Sequence, residues 1–543
     1  MSTICIRGGR VIDPEHKRDA VGDVWISDGR IVDQPADPKN VETIDAKGCV
    51  VMAGAIDIHT HVVGANTAAA RLLLPERYAD VEKPMNEWTG APFDVFSTGA
   101  LYAAMGYTLV VEPAVAPSDA MATHAELECV PYVDRAALTV IGNDDVLLGM
   151  LRDRASPATI QDYVAWSLKT SRALGAKAIN PGGVAALKEN IRKFDLDDVV
   201  PEYGVSARQI GNALRRAVTD LGVPHPLHLH TCNLGLPGSA DTAIATIESA
   251  EGLPLHLAHL QFYGYAKEGD LGMSSGAVKI AEAMAKHKNV SADIGQVMFG
   301  PTITISSDVL TQFNSRRRAK PKKWIVRDGD SNGGGVVPLT YRAKSKINAM
   351  QWAIGLEMFL LIDDPWRVFL TTDHPNGGPF TAYPDLIALL MDRGVREAAI
   401  AALPQDAMKA TTISQLTREY TLSEIAVMTR AAPARLLGTK DRGHLGRGAI
   451  GDVAIYREQA DKAEMFRSAV RVLKDGKTIV RDGEPLAATY GRTLQINPEY
   501  DAGITRHVHS AYEKRWGVPP DTFTVPEHLL RDHSPFEVVP CRN

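Results

Sequence analysis

The stretch GAIDIHTHVVG, residues 54–64, places two histidines one residue apart at the end of a short apolar run. Side chains at positions i and i+2 of a strand point to the same face, so His59 and His61 project together. Two imidazoles on one face, flanked by Asp57, can hold one divalent cation. Alternatively, neighbouring backbone groups satisfy both histidines by hydrogen bonding. Residues at the ends of the other predicted strands favour the metal site.

The chain around this stretch alternates between short apolar runs and amphipathic segments. Besides VVMAGAIDIHTH at 50–61, the runs typical of buried strands are TLVVEPA (108–114), ALTVIGND (137–144), AKAINPGG (176–183), PLHLHTCN (226–233), LPLHLAHLQF (253–262), NVSADIG (289–295) and VFLTTDHP (368–375). Amphipathic segments such as 157–174, 207–221 and 240–251 lie between them. About eight strands, each followed by a helix or a long insertion, predict an α/β protein with a (β/α)8 TIM-like barrel.

Short strands and glycine turns dominate both flanks of this region. The pairs Asp28-Gly29 and Asp475-Gly476 are typical of hairpins. We therefore expect a small β-sandwich domain built from residues 1–52 and 436–494. The barrel is then expected over residues 53–435, with an insertion at about 313–337. The C-terminal segment 495–543 is rich in Pro, His and charge, which predicts an extended tail, either mobile or wrapped around a partner.

The bulk composition excludes several classes of protein. With 45% hydrophobic and 23% charged residues and a net charge of −6, the chain is typical of a globular protein and gives no reason to expect nucleic acid as a partner. We expect a cytoplasmic protein without a membrane segment, because neither a signal-peptide core nor an uninterrupted apolar span is present. The five cysteines are scattered without a C-x-x-C pair, which fits a reducing compartment: Cys5, Cys49, Cys129, Cys232 and Cys541.

Histidines cluster at the predicted carboxyl ends of the strands, where the catalytic groups of such barrels lie. On the fifth and sixth strands, His230 and His259 are nearer the strand end and are the better candidate ligands. His228 and His256 are expected to have structural or supporting roles. Seven of the sixteen histidines lie at these ends: His59, His61, His228, His230, His256, His259 and His374.

Two further residues complete the candidate site. Lys177 lies on the fourth strand among apolar residues, where a bare cation is costly. Reaction with carbon dioxide would convert its amine to a carbamate that can bridge two cations; the alternative is a lysine that reaches the solvent at the rim. Asp373 follows the eighth strand, where a carboxylate can contact a metal and transfer a proton; alternatively, it caps a helix.

The pattern of these residues resembles the binuclear amidohydrolases. H-x-H on strand one, lysine on strand four, histidines on strands five and six and aspartate on strand eight match that superfamily. Longer phrases resemble one family within it, the A subunit of formylmethanofuran dehydrogenase, including the alpha subunit of the bacterial formyltransferase/hydrolase complex. The resemblance covers about residues 1–494, and these phrases are INPGG (179–183), HLHTCNLGLPG (228–238), HLAHLQFYGY (256–265) and the long stretch 348–385.

The resemblance implies a zinc amidohydrolase that releases formate from a formylated cofactor of the methanofuran or methylofuran type. It also implies partner subunits, including a formyltransferase subunit. Water activated between two Zn²⁺ ions would attack the formyl carbon, and Asp373 would pass the proton to the departing amine. The implied metal ligands are His59, His61, Lys177, His230, His259 and Asp373. The implied substrate-binding or supporting residues are Asn180, His228, Asn233, His256, Gln261 and His374.

Three other functions remain open from the sequence. The first is the A subunit of a dehydrogenase that reduces CO₂ to formylmethanofuran, in which other subunits carry the redox chemistry. The second is a cyclic-amide hydrolase of the dihydropyrimidinase or dihydroorotase type, which shares the metal ligands. The third is a non-catalytic scaffold, which would require a missing ligand. The stretch TTDHPNGGPF, 371–380, with its long flanks, favours formyl-cofactor hydrolysis.

A basic insertion, SRRRAKPKKW at 315–324, interrupts the region between the seventh and eighth strands. The furan cofactors implied by the resemblance carry glutamate residues remote from the formyl group. We predict that the insertion binds this acidic tail; alternatively, it is a solvated loop or contacts a partner protein. The basic residues are Arg316, Arg317, Arg318, Lys320, Lys322 and Lys323.

Overall fold

A computed structural model of the chain describes most of its length. The described residues are 3–36, 40–73, 95–191, 193–269, 272–306, 325–327, 334–526, 528 and 535–542. The basic residues Arg316, Arg317, Arg318, Lys320, Lys322 and Lys323 lie outside the described residues. Within the described ranges, no helix combines the length and the apolar character needed to cross a membrane.

A curled sheet of parallel strands forms the centre of the fold, which confirms the predicted barrel class. Neighbouring strands follow one another in chain order, with helices or insertions between them, as expected for βα units. In the described part of the chain, the eight barrel strands are Ala55–Asp57, Tyr107–Val115, Asp134–Val140, Gly175–Ile179, Leu227–His230, Leu255–Leu257, Val290–Asp293 and Val368–Phe369.

The first and eighth strands approach each other just beyond their ends. Thr60 pairs with His374 in a parallel bridge, and the backbone N–H of His61 donates to the carbonyl of His374 over 2.9 Å. In the strand register, His228 lies opposite both Lys177 and His256. The predicted candidate residues therefore meet at one end of the barrel.

Helices cover the outside of the barrel, and their ends follow local sequence signals. Ser156 caps one helix by accepting from the backbone N–H of Thr159, and Ser206 forms a capping box with Gln209 at another. The α-helices are Ala65–Leu73, Val95–Ala104, Ala120–Glu128, Asp145–Arg152, Pro157–Thr170, Gly183–Lys188, Ala207–Asp220, Ser239–Glu248, Ala277–Lys286, Lys346–Leu361, Tyr383–Met391, Arg393–Ala401, Gln405–Met408, Leu422–Ala426, Ala432–Leu437, Lys462–Arg467 and Gly503–Trp516, with a π-helix at Val427–Ala431. The 3₁₀ helices are Pro14–His16, Pro117–Asp119, Leu260–Tyr263, Pro365–Arg367, Phe380–Ala382, Ile413–Gln415 and Pro520–Phe523.

Strands from both flanks form one sheet beside the barrel, as predicted for the small β-domain. The turns at Asp28-Gly29 and Asp475-Gly476 join antiparallel neighbours in this sheet. Among the described residues its nine strands are Thr3–Asp13, Arg18–Ser27, Arg30–Val32, Val41–Asp45, Cys49–Ala53, Val453–Arg457, Arg471–Lys474, Lys477–Arg481 and Glu484–Pro485. Smaller sheets comprise Gly300–Ser306 with Ile325–Arg327 and Gly334–Tyr341, Val199–Val200 with Val205–Ser206, and Tyr265–Ala266 with Ser274–Ser275. The exact domain boundaries stay predictions.

The C-terminal segment is folded onto the barrel, so the prediction of an extended tail was wrong for its described part. Strand Thr493–Gln495 pairs in parallel with the start of the third barrel strand. Strand Phe536–Val538 pairs in parallel with strand Thr493–Gln495 on its other side. Helix Gly503–Trp516 buries Ile504 and Val508. These two residues are four apart, a helical spacing that the overall Pro, His and charge content of the segment had obscured.

A buried charge cluster joins the barrel, the flanking sheet and the C-terminal segment. The Lys474 Nζ lies 3.1 Å from carboxylate oxygens of both Asp134 and Asp452. The Arg442 guanidinium contacts Asp134 at 2.9 Å and Glu537 at 2.8 Å. Burial alone would raise the pKa of Asp134, but Lys474 and Arg442 hold that pKa well below its ordinary value. Asp134 is therefore ionised and paired within the cluster, whereas burial raises the pKa of Asp452.

We expect Lys474→Met to lower the free energy of unfolding by about 3–5 kcal/mol, because it leaves the buried Asp134 and Asp452 carboxylates facing each other with less compensation. Lys477→Met is the matched control, since Lys477 is exposed on the next strand and its loss should change stability by at most about 0.5 kcal/mol. Thermal and chemical denaturation of both variants measure the difference. Equal stability of the two variants would contradict a stabilising role for the cluster.

Candidate metal centre

The two histidines of the H-x-H pattern lie immediately after the first barrel strand and are both buried. Their ring centroids are 5.8 Å apart. His59 Nδ1 lies 2.9 Å from Asp293 Oδ2, and His61 Nδ1 lies 2.9 Å from Glu112 Oε1. Each ring thus donates its Nδ1–H to a carboxylate, which leaves the Nε2 lone pair as the ligand atom.

Asp373 faces both of these Nε2 atoms. Its Oδ1 lies 3.0 Å from His59 Nε2 and 3.4 Å from His61 Nε2. The negative carboxylate oxygen and the lone pairs of two unprotonated nitrogens repel each other unless a positive charge lies between them. Burial opposes a charged imidazole, yet Glu112 and Asp373 raise the pKa of His61 to about 9, so the site favours a cation, either a proton or a metal ion.

Lys177 lies on the fourth barrel strand and faces the same centre as the two histidines. Only 2% of its surface is exposed. Its Nζ is 3.3 Å from His59 Nε2. Burial lowers the pKa of this amine, although Asp373, Asp293 and Glu112 oppose the shift. A neutral amine is the form that reacts with carbon dioxide, so the environment of Lys177 is compatible with a carbamate.

His230 and His259 form the other side of the centre. Their ring centroids are 4.7 Å apart. Ligand atoms of His59, His259 and Asp373 all lie within 4.8 Å of one another, a spacing that can hold a metal ion. The buried Nδ1 of His259 has no hydrogen-bond partner among the residues that the structure describes. A buried imidazole nitrogen without a hydrogen-bond partner is more typical of a metal ligand than of a histidine with a purely structural role.

His228 and His256 lie deeper in the barrel than His230 and His259. His228 Nε2 is 3.0 Å from His59 Nδ1, and His256 Nε2 is 3.1 Å from Asp293 Oδ2. His228 thus contacts His59 itself, and His256 contacts the carboxylate that holds His59. Their supporting roles stay a prediction.

The remaining predicted residues surround the centre with their own hydrogen bonds. The backbone N–H of Asn180 donates to the His230 carbonyl over 2.7 Å. Asn233 Nδ2 donates to Thr242 Oγ1 over 3.0 Å, and Gln261 Nε2 donates to Tyr265 OH over 3.1 Å. The backbone N–H of Phe380 donates to His374 Nδ1 over 3.3 Å.

Two carboxylates that hold the histidines, Glu112 and Asp293, were not predicted from the sequence. Both interrupt apolar strands, in TLVVEPA and NVSADIG, and an ionisable residue in a buried strand was the available signal. Asp57, in contrast, does not face the candidate ligands. Its carboxylate accepts from the hydroxyls of Tyr102 and Tyr383 and from the His59 backbone N–H. It therefore stabilises the turn that carries His59.

Comparison with known proteins identifies relatives that align with nearly the whole chain. The model of the Amidohydrolase family matches residues 42–480. The chain is 50% identical to the A subunit of the formyltransferase/hydrolase complex Fhc of Methylorubrum extorquens, and the alignment covers 99% of both proteins. It is 36% identical to the protein FwdA of Methanocaldococcus jannaschii, over 93% of this chain and 92% of that protein.

A solved structure matches over the full length as well. The X-ray structure of the formyltransferase/hydrolase complex FhcABCD from Methylorubrum extorquens, in complex with methylofuran, contains a chain with a TM-score of 0.96. Sequence identity to that chain is 49%, and 100% of each chain is covered. The family resemblance predicted from the sequence is therefore confirmed.

Proposed function

Because this chain belongs to the amidohydrolase family, we propose that it hydrolyses the formamide of a formylated methanofuran-type or methylofuran-type cofactor to formate and the free amine. The proposal includes assembly as the A subunit of a formyltransferase/hydrolase complex in the cytoplasm. Its support is the similarity along the whole chain to the A subunit of Fhc and to a complex crystallised with methylofuran.

The proposed cofactor is a pair of Zn²⁺ ions. His59, His61 and Asp373 would hold one ion, His230 and His259 the other, and a carboxylated Lys177 both. Nitrogen and oxygen donors of this kind suit zinc. One observation carries the proposal: Asp373 Oδ1 faces the Nε2 atoms of His59 and His61. The Nδ1 protons of these two rings are donated to other carboxylates. When bound, the two ions would lower the pKa of water and polarise the formyl oxygen.

The side chains then have separate tasks in formamide hydrolysis. Asp373 accepts the proton of the attacking water and returns it to the departing amine nitrogen. His374 directly follows Asp373, and burial lowers its pKa to about 3, so its ring is neutral. Only 3% of the surface of each of these two residues is exposed, so bulk water is largely excluded from the proton transfer.

We expect the purified complex to contain two Zn²⁺ per copy of this chain and to release formate from the formylated cofactor. Removal of the metal with a chelator should abolish formate release, and added Zn²⁺ should restore it. Elemental analysis and a formate assay on the same samples measure both quantities. Metal without formate release, together with hydrolysis of dihydroorotate or dihydropyrimidines, would instead support a cyclic-amide hydrolase.

The A subunit of a dehydrogenase remains the second candidate. The similarity to FwdA supports it, but the identity of 36% is lower than the 50% to the Fhc protein. The partner subunits and the need for an electron acceptor separate the two: a dehydrogenase complex would contain redox subunits and convert the formyl group to CO₂ only with an acceptor present, whereas the hydrolase complex releases formate without one.

A further inference from the structure

Asp293, at the end of the seventh barrel strand, is fully buried beneath the candidate metal centre, and both of its oxygens have partners. Oδ2 lies 2.9 Å from His59 Nδ1 and 3.1 Å from His256 Nε2. Oδ1 accepts the backbone N–H of His259 over 2.7 Å. One carboxylate thus contacts a candidate ligand of each metal position.

We propose that Asp293 is a positioning residue that holds both metal positions at once, through the His59 ring and the His259 backbone. The inference rests on the proposed function, in which His59 and His259 are ligands of two different metal ions. Neither the H-x-H pattern nor the family resemblance had indicated this residue.

The hydrogen bonds around Asp293 determine which nitrogens carry protons. An ionised carboxylate accepts only, so the facing nitrogens of His59 and His256 must both be N–H donors. Ser291 lies 2.9 Å from His256 Nδ1 and can donate its hydroxyl there, consistent with the proton on Nε2. His59 Nδ1 also lies 3.0 Å from His228 Nε2. Two N–H groups would repel each other there, so we expect the Nε2 of His228 to be unprotonated. His228 Nδ1 in turn can donate to His225 Nε2 over 3.0 Å.

The second connection fixes the backbone at His259. This residue has a φ of +35°, in the left-handed region that a non-glycine residue adopts at a cost. Its N–H bond to Asp293 stabilises that conformation. Gly295 packs against the same residue so closely that a Cβ there would lie 2.5 Å from His259 Cβ. The direction of the His259 ring therefore depends on Asp293 and on the turn that follows it.

Glu112 offers a matched comparison, because His61 is the one candidate ligand to which it is hydrogen-bonded among the described residues. Its Oε1 accepts from His61 Nδ1, and its Oε2 accepts from the backbone N–H groups of Val62 and Val63 at 2.8 and 3.1 Å. All of these groups belong to the segment after the first strand. If Asp293 couples the two positions, loss of its charge should affect both ions, whereas loss of the Glu112 charge should affect one.

The experiment compares Asp293→Asn with Glu112→Gln in the assembled complex. An amide at 293 cannot accept from His59 and His259 at the same time without presenting its N–H₂ group to one of these donors. We expect Asp293→Asn to weaken binding of both Zn²⁺ ions by about tenfold to a hundredfold and Glu112→Gln to weaken one of them by a similar factor. Chelator competition measures both affinities, and the absorption spectrum of the Co²⁺-loaded proteins reports the ligand geometry without any activity assay.

If Asp293→Asn does not fold, Ser291→Ala replaces it, since the Ser291 hydroxyl lies against His256 Nδ1. We expect a smaller loss that still affects both ions. Wild-type affinity for both ions, or a loss confined to one, overturns the inference. A third equivalent of metal in the wild type would also overturn it, because His59, His228 and Asp293 would then be ligands themselves. A wild-type protein that binds no metal would instead reject the proposed function.

Discussion

Replacing Lys177 with alanine is expected to remove most of the bound metal and to slow formate release by at least about a thousandfold. The proposed carbamate connects both metal positions, and the lysine is buried 3.3 Å from His59 Nε2. Loss of metal assistance of several kcal/mol corresponds to several powers of ten in rate. Metal content per chain and formate release, measured on the same preparation, test this expectation.

The control for Lys177→Ala is Lys279→Ala, which removes an exposed lysine from an outer helix. It should leave metal content and rate unchanged. Short carboxylic acids should partly rescue Lys177→Ala, because they can take the place of the carbamate. If the variant retains two equivalents of metal, the bridging role is wrong, whatever its activity.

Asp373→Asn is expected to keep the fold and most of the metal while slowing formate release by about a hundredfold or more, the usual scale for lost acid–base catalysis. Asparagine has the same shape and can contact a cation weakly, but it cannot carry the proton. Burial would raise the pKa of Asp373, yet His59 and His259 hold it well below its ordinary value. The wild-type carboxylate is therefore ionised, the form that the proposed proton acceptor requires.

Single-turnover formate release by metal-replete Asp373→Asn is the decisive measurement, since it separates chemistry from binding. His374→Asn is the comparison, because it alters the adjacent side chain and keeps the carboxylate. Near-normal turnover of Asp373→Asn would transfer the proton shuttle to another residue, with His374 as the next candidate.

The sequence was sufficient to predict the barrel and the groups that meet at its end. Period-two patterns place His59 with His61 and His228 with His230, and parallel strands bring their ends together. The supporting carboxylates were harder to predict. Glu112 and Asp293 are far from their histidines in sequence, and their function depends on which ring nitrogen each one meets. Strand periodicity carries no information about that choice.

The C-terminal segment was predicted incorrectly for a different reason. Its proline and charge content is typical of mobile chains. The segment is ordered by contacts with residues more than 300 positions earlier, such as the bond from Asp501 N–H to Asp162. Local composition cannot reveal a contact of this kind, because one of the two partners belongs to the folded barrel and is distant in the sequence.

The late strand Thr493–Gln495 also sets the order in which the protein can be completed during synthesis. It pairs with Arg135 and Ala136 near the start of the third barrel strand. The Ile496 N–H donates to the carbonyl of Ala173, which lies just before the fourth barrel strand. Until this strand has left the ribosome, backbone groups in that part of the barrel wall lack their partners. A barrel that formed before this strand was made would leave part of one strand edge unpaired, and unpaired edges are prone to wrong association.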